Sequence, residues 1–106
     1  MDRIEKTDVK VKELFNMPAA GDEGTDPEFM HILQRYIFGE VCYTGSLDNR
    51  MRELITITAL ATLQTLPQLR SHVAACLNVG CTPVEIREVC SLAYCASRAS
   101  YRASGS

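Results

Sequence analysis

Phe29, Ile32, Leu33, Tyr36 and Ile37 recur at intervals of three and four, the repeat of a single helix face. Asp26 and Pro27 stand just ahead of them, as an N-cap and a first helical residue would. The spacing predicts a helix that weakens at Gly39 and is broken by Gly45. Upstream, Val11, Leu14 and Phe15 form a shorter stripe, which predicts a first helix over residues 7–16, followed by Pro18. The stretch between the two, "PAAGDEGTDP", is a loop rich in glycine, proline and acid.

Downstream of the turn "YTGSLD", where Ser46 or Asp48 can cap, residues 49 to about 65 need arbitration. "LITIT" alternates as a strand would, yet the apolar run continues through "ALATL", past the length of an ordinary strand. A helix is expected, apolar on most sides and therefore central. Pro67 opens a fourth helix with Leu69, Val73, Cys76 and Leu77 on its inner face, ended by Gly80. "TPVE", residues 82–85, has the form of a capping box with proline at the first helical position. The fifth helix carries Ile86, Val89, Cys90, Ala93 and Tyr94, and the polar "SRASYRASGS" after it reads as a loose tail. The fold class expected is therefore all-α, a bundle of about five helices without internal repeats.

Composition narrows what such a bundle can do. With 106 residues the chain supports one domain, and its 46% hydrophobic content is ordinary for a globular protein. Eleven basic residues face 13 acidic ones, with no long basic run, so nucleic acid is a poor partner. The longest apolar stretch, residues 54–63, is too short to span a bilayer. The charged start "MDRIEKTDVKVKELF" lacks an apolar signal core, so the cytoplasm is the expected location. Cys42, Cys76, Cys81, Cys90 and Cys95 contain no C-x-x-C, and the five-residue spacings put each close pair on different helix faces. They read as small buried hydrophobes in a reducing compartment, not as a metal site.

Two polar residues interrupt the apolar faces. Glu53 lies four before Ile57, and His72 lies three after Leu69 and four before Cys76. Both are thus aimed at the core, where a carboxylate nearly never stays without a partner. Coming from consecutive helices, the two can satisfy one another. An acid–base pair and a structural pair look alike at this level, and the residues by themselves favour the structural one. His31 reads as surface or interface, and Tyr36 and Tyr43 as packing residues.

"GSLDNRMRELITITALATLQTLPQLRSHVAACLNVGCTPVEIREV" resembles the carboxymuconolactone decarboxylase family of the alkylhydroperoxidase-D-like superfamily. The R-E-L-I-T-I opening, the L-R-x-H helix and the G-x-T-x-x-E-I-R-E-V cap and helix occur in order, over residues 26–89. The superfamily's peroxidase branch has a glutamate, a C-x-x-C pair and a histidine at fixed spacing. Glu53 and His72 match its glutamate and histidine, whereas its cysteine positions fall on Thr65 and Gln68. Dithiol peroxide reduction needs an attacking and a resolving thiol, so this departure argues against it. The decarboxylase branch also lacks those cysteines. The resemblance implies cofactor-free decarboxylation of a γ-carboxymuconolactone-like substrate to an enol-lactone, without a metal. In that scheme His72 donates the proton, Glu53 orients it, and Arg52, of the family's R-E pair, is the cation for the dianionic substrate.

The resemblance also implies a homo-oligomer, a trimer or hexamer. It divides the chain into an N-terminal helix and loop (1–25), the family-like domain (26–95) and a polar tail (96–106). Family members usually continue their last helix into a Gly-x-Pro-type turn that "SLAYCASRASYRASGS" lacks, which implies a truncated or altered C-terminus. Two other classes stay open. One is a thiol-dependent peroxidase, with Cys76 one helical turn from His72, and the other is a non-catalytic assembly module.

Overall fold

Asp26, Asp48 and Thr82 each cap a helix, as their places ahead of apolar stripes predict. The Asp26 carboxylate accepts from the Phe29 amide at 3.1 Å and that of Asp48 from the Met51 amide at 2.8 Å. Thr82 and Glu85 close a reciprocal capping box, with bonds of 3.1 and 2.9 Å. The structure is a computed structural model that describes the backbone of residues 1–103 and the side chains of residues 1–98. Five helices follow in order: α1 (Arg3–Phe15), α2 (Pro27–Gly39), α3 (Asn49–Leu63), α4 (Leu66–Asn78) and α5 (Pro83–Ala103), with one 3-10 turn at Val41–Tyr43. The fold is all-α, with no strand among the described residues. No helix there is long and apolar enough to cross a membrane.

The helices fall into two units, Met1–Leu47 and the described part of Asp48–Ser106. α2 packs against α1 within the first unit. α1 starts earlier than its apolar stripe indicates, because Asp2 caps it through the Glu5 amide at 2.8 Å. Val11 and Leu14 are buried, and Phe15 meets Phe38 edge to face with centroids 5.6 Å apart. Gly39, which looked like a weakness in α2, is a close-approach point: a Cβ there would stand 2.8 Å from the Arg3 carbonyl oxygen. α2 meets α1 along the side that carries Phe38 and Gly39. Its apolar stripe therefore stays exposed, with Ile32 at 61% and Tyr36 at 57%.

In the second unit α3 packs against both α4 and α5, which makes it the central helix of that unit, as expected. Leu54, Ile57, Cys76 and Cys81 are buried together, and Leu69, Val73, Val79, Ile86, Val89 and Cys90 pack around them. The alternating threonines of "LITIT" are accommodated in the helix by turning back on it. Thr56 donates to the Arg52 carbonyl and Thr58 to that of Leu54, both at 2.8 Å. Two expected inner residues, Leu77 and Tyr94, are exposed. α5 also continues to Ala103, where a loose tail was expected from residue 96 onward. Residues 104–106 of that tail lie outside the described residues.

Candidate functional site

Glu53 and His72 meet. His72 Nδ1 and Glu53 Oε2 are 2.7 Å apart, joining the first half of α3 to the middle of α4. Each helix delivers its residue by register alone. Glu53 sits one turn before the fully buried Ile57, and His72 one turn before the fully buried Cys76. The Glu53 side chain is 5% exposed and that of His72 20%, so the carboxylate is enclosed and the imidazole is partly open to solvent. A carboxylate at hydrogen-bond distance from one ring nitrogen is an arrangement that can set the imidazole's tautomer and orientation.

Arg52 is half-buried and engaged in contacts of its own. It lies about 100° round the helix from Glu53. A different arginine ties this region together. Arg50 pairs with Glu85, the capping-box glutamate of α5, so one carboxylate serves both the start of α5 and the start of α3. Sequence reading missed this pair, since 35 residues separate its members and neither departs from a surface pattern. Thr65 and Gln68 are both exposed at the start of α4.

The cysteines need a correction. Five-residue spacing places Cys76 and Cys81 on different faces only if one helix carries both, but α4 ends at Asn78. Beyond it the chain folds back through Gly80 at φ +100°, and the Cys81 amide donates to the Cys76 carbonyl at 2.9 Å. Both thiols are buried, and the Cys81 thiol reaches the Arg50 carbonyl at 3.7 Å. Burial pushes the Cys76 thiol up to about 12, helped by the neighbouring Cys81 thiol and by the Glu53 charge. Burial raises Cys90 as well. The lack of a C-x-x-C therefore does not leave the chain without a dithiol, although Cys76 holds its proton firmly.

A helical unit centred on an enclosed Glu–His contact is the class of protein in view. Residues 27–103 match the Carboxymuconolactone decarboxylase family, and the chain belongs to it. It is 37% identical over 68 residues to a 4-carboxymuconolactone decarboxylase from Acinetobacter baylyi, a match over 61% of this chain and 51% of that protein. The chain thus spans about half the length of this relative. No solved structure matches it.

Proposed function

We propose that the chain is a cofactor-free carboxy-lyase acting on a carboxylated lactone in the cytoplasm, where five free thiols persist. His72 is the proton donor, Glu53 orients it, and Arg52 faces a substrate carboxylate. The observation that carries this reading is the 2.7 Å contact between a carboxylate and an imidazole at the positions the family resemblance singles out. The similarity to a 4-carboxymuconolactone decarboxylase supports the substrate class.

The chemistry asks little more of the protein. Cleavage of the bond to the carboxylate leaves its electron pair on the ring carbon, and the pair delocalises through the ring double bond onto the lactone carbonyl. The developing oxyanion needs positioned donors, and the carbon needs one proton. Imidazole titrates near neutrality in water, so it can hold that proton and release it at physiological pH. With Nδ1 bound to Glu53, delivery is from Nε2. The test is carbon dioxide release from 4-carboxymuconolactone by the purified chain. His72→Ala should lower turnover about 10²–10⁴-fold, the ordinary worth of a general acid. Equal rates in the two proteins would remove His72 from this role.

Self-association into a trimer or hexamer belongs to the same reading. Phe29, Ile32, Leu33 and Tyr36 on α2 present an exposed apolar stripe, which a second copy of the chain can cover. A fast thiol peroxidase is supported less well, because the raised Cys76 thiol supplies little thiolate for attack.

A further inference from the structure

We infer that Cys76 and Cys81 form an oxidisable dithiol, a modification site at the end of α4 that a small-molecule disulfide closes into an intrachain bridge. The case rests on backbone geometry first. Cys81 donates its amide to the Cys76 carbonyl at 2.9 Å, and Gly80 donates to the Leu77 carbonyl at 3.3 Å. These are the paired six-to-one and five-to-two bonds of a glycine-ended helix, which bring the side chains of the first and sixth residues together. Standard bond lengths and the 2.9 Å bond cap the Cα–Cα separation at about 6.8 Å, inside the range a disulfide spans.

Side-chain placement agrees with the backbone. The two side chains are buried in one cluster, Cys76 at 0% and Cys81 at 4% exposure. An aliphatic pair would serve equally well as the apolar contact of such a cap, so packing does not require sulfur at both positions. Cys90, on α5, packs against the same cluster but has no backbone bond to either cysteine at the glycine turn, whereas Cys95 lies further along α5 and Cys42 in the first unit.

The exchange balances as follows. The Cys81 sulfur, as thiolate, attacks one sulfur of R–S–S–R, giving a mixed disulfide and releasing R–S⁻, which takes up a proton. The Cys76 thiol then loses its proton, and its sulfur attacks Cys81 Sγ. The Cys76–Cys81 bond forms and the second R–S⁻ leaves as R–SH. Two cysteines are oxidised by two electrons, and one disulfide is reduced to two thiols. Cys81 begins the reaction because it lies beyond the last turn of α4, where the helix end opens before its middle. Closure fastens the end of α4 one turn beyond His72, so it reaches the Glu53–His72 helix pair without needing any particular activity there.

Trypsin makes the test direct, because the peptide of residues 71–87, between Arg70 and Arg87, contains Cys76 and Cys81 and no other cysteine. The folded full-length chain is treated with oxidised glutathione at pH 8, alkylated under denaturing conditions, digested and weighed. The expected result is this peptide two hydrogens lighter than its reduced mass and carrying no alkyl group. In Cys76→Ala the same peptide should instead retain glutathione on Cys81, and in Cys81→Ala it should stay reduced and be alkylated. Oxidation that leaves the wild-type peptide doubly alkylated, with thiols lost only from Cys42, Cys90 or Cys95, would overturn the inference. So would a wild-type peptide that keeps glutathione on Cys81 without closing.

Discussion

At the residue scale the 4% exposure of Glu53 decides most. A carboxylate so enclosed is held by its contact with His72 at 2.7 Å. Glu53→Ala should destabilise the protein by about 1–3 kcal/mol, because that hydrogen bond inside the protein is lost. It should lower the urea midpoint with little change in slope, whereas Glu53→Gln, which still offers an acceptor to Nδ1, should lose less. Cys76 gives a pH prediction. Its folded thiol titrates at about 12 against an ordinary 9.0. Below about pH 9 both folded and unfolded thiols are protonated and the contribution is constant. Above it the unfolded thiol ionises while the folded one does not, so stability falls as pH rises from about 9 toward 12. Denaturant midpoints across that range should decline more steeply in the wild type than in Cys76→Ala. The same burial makes Cys76 the slowest thiol to alkylate and the exposed Cys95 a fast one, which timed iodoacetamide labelling will show.

At the scale of elements, the starts of helices were legible and the ends were less so. Asp26, Asp48 and the 82–85 box announce themselves because a cap is a local interaction over three residues. The end of α3 gave no such sign. Gln64 adopts φ 61°, a left-handed conformation in which a side chain is strained and glycine is not. Gln64→Gly should therefore stabilise the protein by about 0.5–1 kcal/mol, by relieving that strain. Gly80→Ala is the mirror experiment. At φ +100° it should cost about 1 kcal/mol or more and loosen the bond that brings Cys81 to Cys76. Thermal melts of the two variants should move in opposite directions. The run of helix through residues 96–103 was hidden for a related reason: a composition rich in serine and arginine is polar but does not exclude helix.

At the scale of the molecule, the stripe on α2 is the feature that most needs a partner. α3, flanked by two helices, buries Leu54 and Ile57 but leaves Ile55 and Leu63 exposed, and the packed side of α2 carries Phe38 and Gly39 in place of its apolar stripe. Periodicity shows that a helix has an apolar face but not what covers it. If copies of the chain cover that face, light scattering should give a multiple of the 11.8 kDa chain mass. Ile32→Glu or Phe29→Glu should then shift the population toward monomer while leaving the far-ultraviolet helix signal intact. A monomer mass for the wild type at micromolar concentration would remove self-association from the proposal.

The sequence by itself determined the helices, the family-like order of Glu53 and His72, and the inward facing of both, because caps and faces depend on neighbours within a turn or two. It could not decide that the two side chains meet at 2.7 Å, or that Arg50 holds Glu85. Nor could it decide that Cys81 folds back onto Cys76, where counting along one helix put them apart. Those are distances across helix ends and between helices. They are set by the packing of α3 against α4 and α5 and by one glycine turn, and no spacing along the chain encodes them.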